Sequence, residues 1–180
     1  MSDASPSPRS TTSPDSAGAA SRGPSPNKTA DIVYGAFYGG AVGGAAIAVF
    51  FLILDTLQGR PLFTPSLIGT AVFTGTDPAS VTTVRMDLVA YFSLVHFAAF
   101  FALGAAASQL YLTSAVMRRQ ASLAAVLFGL LTVTLFAADW LVMSGVVSLL
   151  GIFQVLAANA VTAWVMAAFI SRAFATTKAT

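Results

Sequence analysis

Residues 32 to 57 read IVYGAFYGGAVGGAAIAVFFLILDTL, with no charged side chain before Asp55. An α-helix needs roughly 20 apolar residues to cross the bilayer hydrocarbon, and in lipid every backbone polar group has to be bonded inside the segment. A membrane-spanning helix is the structure that meets both demands. The same format returns at about 87–112, 120–143 and 146–171. The run from 120 to 171 is far too long for one crossing, so Ser144-Gly145 reads as a very tight turn between two antiparallel helices. The predicted fold is all-α: a polytopic membrane protein with four transmembrane helices in an antiparallel bundle.

Composition narrows the function classes. Of the residues, 56% are hydrophobic and 9% charged, where a soluble domain carries roughly a quarter charged. A net charge of +2 does not make a nucleic-acid binder, because the Lys and Arg residues are scattered and mostly flank the apolar spans. Cysteine is absent, which excludes disulfides and thiolate ligands, and a chain with no Glu and one His offers little to a metal or haem. No cofactor and no catalytic residue are expected, and the chain is not expected to be an enzyme. Met143-Ser144-Gly145 is no nucleophile elbow, since no His lies at that depth.

Outside the spans, residues 1–30 are dominated by Ser, Pro, Ala and Thr and contain no signal-peptide core; they read as a disordered cytoplasmic tail. Residues 31–172 form the transmembrane domain and 173–180 a short second tail. The loop 58–85 is the long connection. Arg60-Pro61 stops the first helix, because Pro lacks an N–H and restricts the residue before it. Thr64-Pro65 resembles an N-cap with Pro in the first turn, predicting a short outer interfacial helix over about 65–74, and Asp77-Pro78 resembles a second cap. The positive-inside rule sets Arg22, Lys28, Arg118, Arg119, Arg172 and Lys178 on the cytoplasmic side against Arg60 and Arg85 outside, so both termini are expected in the cytoplasm.

Three groups of residues need a reason to exist in lipid. Gly35, Gly39 and Gly43 share an i, i+4 row with Gly40 and Gly44 beside it, a surface that lets helix backbones approach, within the chain or in a homodimer. Asp55, Arg60, Arg85, Asp87 and Asp139 gather at the outer edge, where ion pairing would lower their insertion cost; a proton- or ion-binding role is the alternative. Deeper, His96 falls near the midplane, with Ser93 one turn away and Thr134, Gln154 and Asn159 at similar depth on other spans. That set reads as interhelical hydrogen bonding, with ligand contact or proton relay as the sharper readings.

The run Asp55…Gly59-Arg60-Pro61-Leu62-Phe63-Thr64-Pro65-Ser66, followed by a span holding Val95-His96-Phe97, resembles small bacterial four-span membrane proteins. The resemblance covers roughly 32–171. It implies a multi-pass protein of the bacterial cytoplasmic membrane and brings no activity with it. The expected function is a structural or accessory subunit that packs against lipid and against itself or a larger membrane complex. A transporter or channel component, or a lipid- or cofactor-binding protein using His96, are the alternatives.

Overall fold

A computed structural model describes residues 28–143 and 145–176. The predicted N-terminal tail, apart from its last three residues, lies outside the described residues, as do Ser144 of the tight turn and residues 177–180. Among the described residues there is no strand, and four helices are long and apolar enough to cross a membrane: Ile32–Leu57, Met86–Thr113, Gln120–Val142 and Ile152–Phe174. The chain is an all-α polytopic membrane protein.

The first span is built from α1 (Lys28–Tyr34) and α2 (Gly40–Leu57), joined by a widened π turn over Gly35–Gly39. It ends in a Schellman motif. Gly59 takes φ +72°, its N–H donates to the Thr56 carbonyl, and the Arg60 N–H donates to the Asp55 carbonyl. Glycine, which accepts the left-handed conformation without penalty, therefore stops the helix two residues before Pro61.

The helix α3 (Phe63–Thr74) begins slightly ahead of its predicted start. Thr64 is not its cap. The Thr64 N–H donates to Asp55 Oδ2 at 2.7 Å, and the Thr64 hydroxyl donates to Asp55 Oδ1 at 2.7 Å, so the cap is supplied by another helix. Pro65 is tolerated because a first-turn N–H would have no helical partner anyway. The predicted Asp77 cap is formed, with Asp77 Oδ1 accepting the Ala79 N–H ahead of the 3₁₀ turn Pro78–Ser80.

The second span is α4 (Met86–Thr113), and the third is α5 (Gln120–Ala138), extended by a π turn over Asp139–Met143. The fourth does not start at 146. A short helix α6 (Val146–Leu150) intervenes, Gly151 at φ +88° breaks the path, and α7 (Ile152–Thr176) follows.

Two apolar clusters hold these elements. At the end where α1 begins and α7 finishes, Ala107 and Tyr111 of α4, Leu123, Ala124 and Leu127 of α5, and Met166, Ala167, Ile170 and Phe174 of α7 form one core. At the opposite end, which carries the 58–85 loop, Phe63, Leu67 and Ala71 of α3 pack with Val146, and Leu135 and Ala138 of α5 close over them. So α4 and α5 meet directly near the end opposite the loop, while α3 stands between them at the loop end. The contact of α3 with α4 is close: a Cβ on Gly69 would lie 2.7 Å from the Leu88 carbonyl oxygen. Val72 and Phe73 of α3 stay at the surface.

Candidate functional site

The glycine row is used inside the chain. Cβ atoms on Gly40 would lie 2.5 Å from the Phe100 carbonyl oxygen, and on Gly44 3.0 Å from the Phe97 ring, so this edge faces α4. Gly39 turns toward α7, where an added Cβ would meet Ile170 at 3.3 Å, and Gly43 sits between α7 and α4, its Cβ 3.0 Å from Met166 Sδ and 3.1 Å from the Phe100 ring. Gly35 accommodates the Ser108 side chain. From the other side Gly104 of α4 completes the crossing: its Cβ would lie 2.7 Å from Gly40 N and 2.8 Å from the Ala36 carbonyl oxygen. All five row glycines are buried, and their surface is occupied by α4 and α7.

His96 belongs to the same crossing. Its Nε2 lies 3.1 Å from the Gly44 carbonyl oxygen. A carbonyl only accepts, so Nε2 carries the hydrogen and donates. The imidazole is half-buried among Phe92, Phe97 and Phe100, with ring centroids 5.5, 5.4 and 4.8 Å away. The polar set expected around it does not assemble. Thr134 is exposed on α5. Asn159 Nδ2 donates to Thr132 Oγ1 at 3.3 Å, tying α7 to α5 through Thr132 rather than Thr134. Ser93, on the same helix as His96, makes no bond to it.

Gln154 is shallow for a clear reason. With the span starting at Ile152 rather than 146, it is the third residue of α7, and it lines a cavity at the loop end.

The expected outer cluster is likewise divided. Arg85 and Asp87 pair at 2.6 Å, both about half exposed. Asp55 is 3% exposed and spends its carboxylate on the start of α3, as described. Asp139 Oδ1 accepts the Val147 N–H at 3.0 Å, at the start of α6. Arg60 donates to Gln58 Oε1 at 2.8 Å, and its guanidinium lies over the Phe63 ring, 4.1 Å from the centroid. The first turn of a helix carries N–H groups with no internal partner and the positive end of the macrodipole, so a carboxylate is satisfied there without an arginine. That is why two of the three acids leave the predicted ion-pair set.

What results is a cavity of about 190 Å³ between the end of α2, the start of α3, the 3₁₀ turn and α6–α7. Asp55, Gln58, Arg60, Thr64 and Gln154 supply its polar lining, and Phe51, Leu54, Phe63 and Leu150 are among the apolar residues. Residues expected in separate places, Asp55 with Arg60 and the deeper Gln154, thus meet here. Among the described residues no group of three metal-ligating side chains occurs. No protein-family model, curated protein or solved structure matches the chain.

Proposed function

We propose that the chain is an accessory subunit of a membrane complex, acting by lateral helix packing. The observation that supports this reading is Gly129. A Cβ added there would meet nothing within 4 Å, whereas every glycine of the first-span row meets a neighbour. Gly129 shares an i, i+4 row with Ala125, Val133 and Ala137, and this row lies at the surface of α5. Small residues let a partner backbone come close, and dispersion contacts then drive association in lipid. The hydroxyl of Thr134, exposed beside the row, is a hydrogen-bond group that such a helix would meet.

The alternative, a transporter or channel component, has less to draw on. Gly44, which holds His96, and Asp55 are separated along α2 by about 16 Å, and the intervening residues 45–54, AAIAVFFLIL, carry no polar side chain.

The proposal places the chain in a bacterial cytoplasmic membrane with the loop end outward, supported by Arg118, Arg119 and Arg172 at the other end. The absence of cysteine makes the orientation directly testable. Thr76→Cys is expected to react with an impermeant maleimide in intact cells and Ala115→Cys only after lysis; the reverse pattern inverts the topology. Extraction of the tagged protein in mild detergent is expected to bring a larger membrane partner with it, and Gly129→Leu to release that partner while leaving the fold intact. A protein that runs as a lone monomer, or a partner retained by the variant, defeats the proposal; a homo-oligomer dissociated by the same change would identify the partner as a second copy.

A further inference from the structure

We infer that the loop-end cavity binds a small organic ammonium ion, with the Asp55 carboxylate as its counter-charge. This goes beyond the packing role and does not depend on it.

Asp55 is 3% exposed, and no cation among the described residues pairs with it. Each carboxylate oxygen accepts a single hydrogen bond, from the Thr64 N–H or the Thr64 hydroxyl, and retains further acceptor capacity. A buried carboxylate bordering a cavity, held rigid by two short bonds, is a preformed anchor for a donor of positive charge. The remaining lining suits the same chemistry. Gln58 and Gln154 contribute polar side chains, and Phe51 and Phe63 contribute aromatic residues, whose ring faces attract cations.

Arg60 shows how the lining treats a cation. Its guanidinium already lies on Phe63 at 4.1 Å and takes the Gln58 oxygen at 2.8 Å, the contacts an incoming ammonium would use at the rim. The Arg60 guanidinium makes no bond to the Asp55 carboxylate, so the side chain at the mouth competes only for the shallower groups. The volume of about 190 Å³ sets the ligand's size; a cavity of roughly 150 Å³ in another protein takes up benzene. The chemical class is therefore a primary ammonium carrying one compact apolar group.

The test uses the full-length protein in mild detergent, titrated calorimetrically with benzylammonium, and with benzyl alcohol and benzoate as the neutral and anionic analogues. Saturable heat is expected for benzylammonium alone. Asp55→Asn is expected to weaken it about tenfold or more, the loss of one charge-assisted contact. Because Asp55 also starts α3, two further variants decide the matter if that one fails to fold. Ala79→Trp, at an exposed position of the 3₁₀ turn in the cavity wall, is expected to abolish binding by occlusion. Arg60→Gln removes the competing cation and is expected to tighten binding by roughly threefold, the scale of an exposed charge interaction. Saturation by benzoate, equal binding of benzyl alcohol, weaker binding in Arg60→Gln, or unchanged binding in Ala79→Trp each overturns the inference.

Discussion

The first span and α5 both carry glycine in a membrane-crossing helix, and the structure treats them in opposite ways. In the first span the glycines face two helices at once, with Gly40 against the α4 backbone and Gly43 against Met166 of α7. In α5, Gly129 faces open space. Lipid offers no hydrophobic reward for bringing two apolar helices together, so association depends on close packing and on hydrogen bonds that packing permits. A glycine row is thus an opportunity for contact, and its use is decided by what the rest of the chain lays against it. Here the chain fills one row and leaves the other.

That contrast is sharpest at Gly40. A leucine there would have to occupy space held by the Phe100 carbonyl and the Phe101 Cα, atoms that cannot turn aside. Gly40→Leu is expected to cost about 3 kcal/mol or more, seen as loss of monodisperse protein in size-exclusion chromatography; a well-folded variant would mean that α4 does not cross the first span here. Asp55→Ala comes next. It leaves the Thr64 N–H and hydroxyl without partners at the start of α3, at an expected cost of about 2 kcal/mol. Thr64→Val in the same background should add little beyond the first change, and a double-mutant cycle in a denaturant titration checks the coupling.

A smaller effect is expected at His96, where the first-span crossing gains a single bond to the Gly44 carbonyl. His96→Leu keeps the volume among the phenylalanines and is expected to lower stability by about 1 kcal/mol, read as a modest shift in thermal midpoint. A lost cellular phenotype with unchanged stability would instead give the imidazole a role outside packing. Gly129→Leu should move the midpoint least, within about 0.5 kcal/mol, because nothing lies in the way and leucine is the better helix former. A large destabilisation at Gly129 would erase the distinction between the two rows.

The elements whose signals are local were readable in the chain. Three spans lie within a residue or two of their expected limits, and the Asp77-Pro78 cap is where its residue types put it. The fourth span is the exception. A largely apolar run through 146–153 hides a break that depends on Gly151 taking φ +88°, and a glycine in an apolar window announces neither bend nor continuity. That six-residue error displaced Gln154 from mid-depth to the loop end. The other misses concern partners. Asp55, Asp139, Arg60 and His96 are groups that need compensation in lipid, and they find it in Thr64, Val147, Gln58 with Phe63, and Gly44. The Thr64 and Val147 N–H groups and the Gly44 carbonyl are backbone groups, which every residue carries and which leave no mark in a sequence.

Thr132 and Gly104 illustrate the same limit from the other side. Either could have been found as a small or hydroxyl residue inside a span, yet both are common there, and nothing local sets them apart from Thr134 or Gly129. Their significance comes from Asn159 and Gly40, which lie on other helices.

The residue order alone determined that this is a four-span helical membrane protein, because apolar length and backbone satisfaction are properties of each segment by itself. Tertiary structure decided which glycines are filled, which acids start helices, and which polar groups share a cavity. Those outcomes depend on the few ångströms separating one helix from the next, and that spacing exists only once the helices have packed.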